Sequence, residues 1–452
     1  NGYPDLLDEA RYELEFMLKM QRADGMVYHK MHDYKWTGLA VRPENDELTR
    51  IVKPVSTCAT LNLAAAGAQA YRLWKGIDDK FANQCLDAAK LAYSAAENDP
   101  ENYAPMDQAI GGGAYGDSYA EDDFYWAACE LYAATKNSKY YTDLKTYKNT
   151  QEGASADDKA FGITTSLYGG ENAGSKTSFT WGSTAGLGTL TLSLHQDKLT
   201  AAESKMVKDS ITKAADEYIS IENDEGYGIP YLSTTFTDEI NAPGEVFTGY
   251  EWGSNSMVVN NAIVMAYAAD LNPTNSTKYA SGVSSAMDYI FGRNAGDYSY
   301  VTGYGDHATQ YVHHRFWSGL LDPTFPYAPD GVLSGGPNSG MQDPWIRGAG
   351  YLPGQLAPQL CYLDHIEAWS TNECTINWNS PFAWVINYLE DYQNKDIVIE
   401  NPDSEYEPDS SIEESSSEES SEEESSAEES SKIEGDDIIW QGSATNAYTI
   451  ND

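Results

Sequence analysis

A succession of alanine-heavy apolar runs at helical spacing constrains this chain more than any other feature. Pro4-Asp5 opens the first, where Leu6, Leu7, Ala10, Leu14, Met17 and Met20 fall near one helix face. Comparable runs occupy 56–74, 81–96, 122–135, 183–195, 204–221, 254–271, 278–291 and 381–392. Alanine at the apolar positions lets helices approach closely. The intervening segments are long and rich in Gly, Pro, Tyr and Trp, above all 298–333 and 352–381. Long loops on a regular helical scaffold usually carry function. Helix–loop units of about 35–50 residues recur loosely, without a strict repeat. Many helices joined by long loops favour an all-α toroid over a simple bundle. Residues 1–395 read as one such domain.

The tract 404–431 holds twelve acidic residues, twelve serines and no base. Like charges and the lack of apolar residues keep such a segment disordered and extended, so 396–431 is expected to be a linker. Residues 432–452 regain Ile438, Ile439 and Trp440 and read as the start of a further module, too short to fold alone. The chain carries a net charge of −42, which disfavours nucleic acid and anionic membranes as partners. A neutral polymer is compatible with it. Tyrosine is the leading aromatic, at 33 copies against 11 each of Trp and Phe. Such side chains join an apolar face to a polar tip, which suits sugar rings as well as cores. Cys58, Cys85, Cys129, Cys361 and Cys374 are odd in number and lack a C-x-x-C pair, so free thiols are expected rather than a disulfide framework.

Two loop segments concentrate chemistry. YLDHIEAWSTNECTINWNSP (362–381) places Asp364, Glu367 and Glu373 among aromatics and amides. Apolar surroundings raise a carboxyl pKa by desolvation, as a general acid requires. Taken alone, these acids would equally serve as helix caps. SYVTGYGDHATQYVHHRFW (299–317) alternates His313 and Arg315, which puts both on one side of an extended loop. Either pair of roles is open, binding hydroxyls or holding a carboxylate.

Together the segments resemble glycoside hydrolase family 9, the large inverting cellulase family. Tyr362, Asp364, Trp369, Glu373, Thr375, Asn379 and Ser380 fill every fixed place of one family signature. Ser299, Val301, Thr302, Gly305, His313 and Arg315 fill a second, which departs only at His307, where the family usually has Asn, Lys or Arg. The opening PDLLDE at 4–9, PVSTCATLNLAAA at 54–66, GGGAYGDSYAEDDFYWAACELY at 111–132 and YEWGSN at 250–255 extend the likeness across 1–395.

The resemblance implies an (α/α)6 barrel and hydrolysis of internal β-1,4-glucosidic bonds with inversion. Glu373 is then the general acid, Asp364 a supporting carboxylate, and His313 and Arg315 contact sugar hydroxyls beside the scissile bond. Trp378, Trp252 and Tyr250 are expected to face sugar. Cellobiose-releasing exo action is the alternative within the family. Inversion also needs a basic carboxylate about 6.5–9.5 Å from the acid. The family takes it from an Asp-Ala-Gly-Asp motif upstream of PDLLDE, which is expected before residue 1, with the barrel's first helical segment. Lacking that base, the chain would be a glucan-binding fragment. Asn294-Ala295-Gly296-Asp297 mimics the motif, but it lies where the family has an ordinary loop, so Asp297 is not taken as the base. No cofactor is required for the chemistry. A structural calcium is implied near the DDFYW segment, where Asp117, Ser118, Asp122 and Asp123 supply oxygens. Asp122 and Asp123 serve equally as acids favoured at a helix N-terminus. A secreted, monomeric enzyme, tethered to other modules by its acidic linker, is expected.

Overall fold

The computed structural model describes residues 2–104, 110–146, 178–237 and 244–394. The linker and the C-terminal module expected from the sequence lie outside these residues. Among the described residues twelve α-helices run in chain order: α1 (Asp5–Lys19), α2 (Thr57–Trp74), α3 (Asp79–Asn98), α4 (Glu121–Thr135), α5 (Ser138–Asp143), α6 (Ala185–Leu194), α7 (Ala201–Asp224), α8 (Ser254–Leu271), α9 (Ser276–Ile290), α10 (Pro344–Gly348), α11 (Trp369–Asn372) and α12 (Ile376–Asn394). Three antiparallel pairs complete the described structure: β1 (Val27–Tyr28) with β4 (Val55–Ser56), β2 (Met31–Asp33) with β3 (Arg50–Val52), and β5 (Thr234–Thr237) with β6 (Val246–Gly249).

Helix chemistry sorts the helices into two layers. α2, α4, α6 and α8 are buried over most of their circumference; in α8, Val258, Val259, Ala262, Val264, Met265 and Ala266 are all inaccessible. A helix apolar on every side must be surrounded. α3, α7 and α9 bury one stripe each, such as Val207, Ile211, Ala214, Ala215, Tyr218 and Ile221 of α7. Each outer helix follows an inner one and packs back on it, α3 on α2 and α9 on α8. Neighbouring inner helices α2, α4 and α6 also touch in succession, α6 and α8 both pack on α7, and α12 packs on α8 and α9. This alternation is the expected toroid. Start signals agree with it: Ser56 Oγ caps α2 by accepting from the Ala59 amide, Asp78 caps α3, and Thr200 with Glu203 forms a capping box on α7.

Boundaries match the sequence reading closely for 254–271, and α12 departs most. It begins at Ile376 rather than at Pro381. The run Ile376–Ser380 is rich in Asn and Ser and reads as loop. Its side chains instead bind neighbours: Asn379 accepts from the Leu333 amide and donates to the Thr375 carbonyl. Pro381 then sits inside the helix, where it forfeits one backbone bond. All five cysteines are free, four of them buried. No described helix is long and apolar enough to cross a membrane.

The closest approach of α2 to α3 depends on Gly67. A Cβ there would stand 2.8 Å from the Cys85 carbonyl oxygen and 3.2 Å from the Ala89 side chain. Gly67→Val should therefore destabilise by about 1–3 kcal/mol, as overpacked cores do. A lowered urea midpoint at unchanged slope is the expected reading.

Candidate active site

The two chemistry-bearing loops meet at one place. Residues 309–313 lie beside 364–373, with His313 and Glu373 forming a parallel bridge and the His313 amide donating to the Asn372 carbonyl at 2.8 Å. Asp364 holds the junction. Its oxygens accept from the Gln310 amide at 2.8 Å, the Tyr311 amide at 3.0 Å, and Thr309 Oγ1, Tyr298 Oη and Asn372 Nδ2 at 2.9 Å each. Tyr362 Oη adds a bond to Asn372 Oδ1 at 2.7 Å.

Glu373 follows α11 directly. Its amide donates to the Trp369 carbonyl, and its own carbonyl accepts from the Gly335 amide at 2.7 Å. The backbone is thus fixed on both sides while the side chain faces Trp252, whose indole N–H donates to Oε2 at 3.1 Å. Burial pushes the carboxyl up to about 7; the Trp252 bond and the charge of Arg315 pull less strongly the other way. A carboxyl in that range holds its proton at mildly acidic pH and can release it. Burial, and less strongly the Glu373 charge, raise the pKa of Tyr115, whose half-exposed ring makes an edge contact with Trp181, also half exposed, at 5.2 Å between ring centroids.

His313 donates from Nδ1 to the Ile366 carbonyl at 2.5 Å, which leaves Nε2 as an acceptor 3.3 Å from Arg315 Nη1. Burial lowers its pKa to about 4, so the ring is neutral near pH 7. Arg315 also donates from Nε to the Thr37 carbonyl at 3.3 Å. His313 and Arg315 therefore share one side of the loop, as their spacing predicts.

Two expected sugar-facing aromatics are placed otherwise. Tyr250 is 1% exposed, stacked on Tyr231 and hydrogen-bonded to Glu225; it is core, held where the chain leaves β6 by the bond from its amide to Ser339 Oγ. Trp378 is 8% exposed, because α12 starts early enough to turn its ring onto Gly253 and Gly335. It backs the site from behind. Trp252 is brought to Glu373 through its N–H. Tyr115 and Trp181, which the sequence reading passed over, supply the exposed rings instead. Asp297 sits in a tight turn with φ of 49°. Glu367 donates its amide to His365, which stacks on Trp345 at 4.2 Å.

The acidic group near α4 also assembles. Asp122 and Asp123 are buried in its first turn. Thr184 donates its amide to Asp122 Oδ2 at 2.8 Å, and its single hydroxyl lies 3.1 Å from Asp122 Oδ2 and 3.0 Å from Asp123 Oδ1. Asp117, Asp123 and the Cys58 thiol bring ligand atoms within 4.8 Å of one another, while Ser118 is exposed. Desolvation, reinforced by the neighbouring aspartates, raises Asp123 well above the carboxylate range; desolvation likewise takes Asp117 to about 6.

Comparison with known proteins places this arrangement. The model of glycosyl hydrolase family 9 matches residues 1–386. The chain is 44% identical over 410 residues to a cellulose 1,4-β-cellobiosidase of Acetivibrio thermocellus, covering 86% of this chain and 43% of that protein. It is 40% identical over 405 residues to endoglucanase C of Cellulomonas fimi, covering 88% and 33%. A thermostable endoglucanase from Alicyclobacillus acidocaldarius superposes with a TM-score of 0.68 at 26% identity, over 86% of this chain and 65% of that one. The chain belongs to glycosyl hydrolase family 9, and its fold is the (α/α)6 barrel of that family. It spans less than half the length of these two curated relatives.

The Trp252 bond stabilises the ionised form of Glu373 more than the protonated one. Trp252→Phe should therefore raise the Glu373 pKa further. Titration of the carboxyl by difference infrared spectroscopy is expected to show an upward shift from about 7, and an unchanged or lower value would refute the account.

Proposed function

We propose that this chain supplies the general acid, Glu373, of an enzyme that hydrolyses internal β-1,4-glucosidic bonds of cellulose and related β-glucans with inversion; without the basic carboxylate it binds glucan only. The observation that carries the reading is the place of Glu373, bridged to His313 and bonded by the Trp252 indole, where burial raises its carboxyl to about 7. In the protonated form it donates to the departing glycosidic oxygen. Arg315 and neutral His313 offer a donor and an acceptor for hydroxyls beside the bond. Asp364 acts through the loops it fixes, since its oxygens are occupied by five internal donors. Water is activated by a second carboxylate, which by family pattern comes from the motif expected upstream of Pro4. An insoluble polymer substrate implies a secreted protein.

Release of cellobiose from chain ends is the second reading, favoured by the 44% identity to a cellobiosidase. Loss of carboxymethyl-cellulose viscosity ahead of reducing-sugar release supports internal cleavage; proportional change supports the exo reading. In protein that also carries the basic carboxylate, Glu373→Gln should lower turnover on glucan by about 10²–10⁴-fold. It should spare an aryl cellobioside whose leaving group needs no proton. Equal loss on both substrates would remove Glu373 from the acid's role. Activity that depends on protonated Glu373 should fall as pH rises through about 7.

The aspartates near α4 suit a calcium ion. Their oxygens are hard donors, and desolvation disfavours the charges of Asp117 and Asp123 unless a cation offsets them. The Cys58 thiol, pushed up by burial, stays neutral and is no ligand for a hard cation. Asp117 and Asp123 have pKa values above their unfolded ones, so without a cation their contribution to stability is full below about pH 4, and that of Asp117 is lost as pH rises through about 6. In EGTA, the melting temperature should drop over that window, and calcium should restore it. Identical melting with and without calcium at pH 7 would exclude the site.

A further inference from the structure

The hairpin β2–β3 carries a long loop, 34–49, that leaves the N-terminal part of the barrel and lies against the segment following Arg315. Several bonds pin it there. The Val41 amide donates to the Arg315 carbonyl at 3.2 Å, and the Ala40 amide to Ser318 Oγ at 3.2 Å. Arg42 donates to the Thr324 carbonyl at 2.8 Å and covers the Phe325 ring at 4.8 Å. Inside the loop, the Thr37 hydroxyl lies 3.0 Å from both Asp33 Oδ2 and Asp46 Oδ2, and Arg50 stands 3.9 Å from Asp33. The loop is a tied strap.

Between strap and Arg315 lies a cavity of about 370 Å³. That is in the size range of pockets for small organic ligands, about 300–1,000 Å³. Trp36 lines it, 55% exposed, with the Arg315 guanidinium 6.0 Å from its ring. Asp33 and Asp46 provide acceptors on the same wall, and Arg50 a donor. The carboxylates of Asp33 and Asp46 stand among Arg42, Arg50 and Arg315 and offset their charge, which disfavours an anionic ligand. An aromatic face with acceptors and donors around its edge matches a neutral pyranose ring, whose C–H face stacks and whose hydroxyls point outward.

We infer that this cavity is a further glucosyl-binding subsite, with Trp36 as its platform and the Asp33–Thr37–Asp46 ties holding the platform in place. The inference rests on the β-glucan reading above. It assigns the subsite to the Arg315 side of the bond at Glu373, because Arg315 forms the wall between them. A chain long enough to pass Arg315 gains the stacking contact, and a shorter one does not.

Calorimetric titration of the E373Q protein with cellotriose, cellotetraose, cellopentaose and cellohexaose tests it. The parent should show a step in affinity at the length that reaches the cavity. W36A should abolish that step, about a tenfold loss for the longer oligosaccharides, and leave the shorter ones unchanged; W36Y should restore most of it. Unaltered affinities in W36A, or an equal loss at every length with W36Y no better, would overturn the subsite while leaving the glucan reading intact. Absence of binding at every length in E373Q itself would overturn the glucan reading and the subsite with it. Matching thermal melts of W36A and its parent keep a folding defect apart from these outcomes.

Discussion

The hydrogen bonds converging on Asp364 are the interaction on which the site depends. Loops do not pack regularly, and those at 298–333 and 361–375 have no helix of their own long enough to fix them. A single carboxylate collects two backbone amides from one loop, two hydroxyls and one amide side chain. Bonds to a charged acceptor are worth about 1.5–3 kcal/mol each when the partner is buried, though they do not add simply. The loops thus become one body, and the bridge between His313 and Glu373 follows from it. A water-exposed pair of loops with the same residues would have neither the register nor the burial.

Burial then sets the chemistry. Glu373 sits where losing solvent disfavours its charge more than Trp252 and Arg315 together favour it. Were Arg315 to bond Glu373 directly, the carboxyl would be driven down and cease to be an acid at useful pH. The strap prevents this by taking Arg315 Nε onto the Thr37 carbonyl. His313 occupies another guanidinium nitrogen from the other side, and it does so only because the Ile366 carbonyl holds the proton on Nδ1. Positioning a cation near an acid without neutralising it needs such competing acceptors.

The helices were legible because their signal is local. The apolar run predicts 254–271 to the residue, and Ser56 marks the start of α2. α12 was misread at its start because Asn377, Asn379 and Ser380 have loop chemistry, and only the tertiary bond to Leu333 shows why they are helical. Glu373, Asp364, His313 and Arg315 were found through signature spacing, and the structure brings them together. The aromatics were not so readable. Tyr250 and Trp378 lie close in sequence to site segments, yet strand and helix turn them inward. Tyr115 and Trp181 stand 66 positions apart in glycine-rich loops, and nothing local announces that their rings meet. Facing direction is a property of the closed barrel.

That closure explains why the site draws on so many segments. Thr37 comes from the first hairpin, Tyr115 from the loop before α4, Trp252 from the turn before α8, and Arg315 and Glu373 from the late loops. Each is placed by a different helix pair. In a toroid the inner helices all end on the same face, so loops far apart in sequence converge there. The scaffold can hold the acid rigidly through α11 and Asp364 while the strap, anchored by separate bonds, sets the shape beyond Arg315. Acid and strap therefore meet at Arg315, which Thr37 holds from the strap side while α11 and Asp364 fix the segment that carries Glu373.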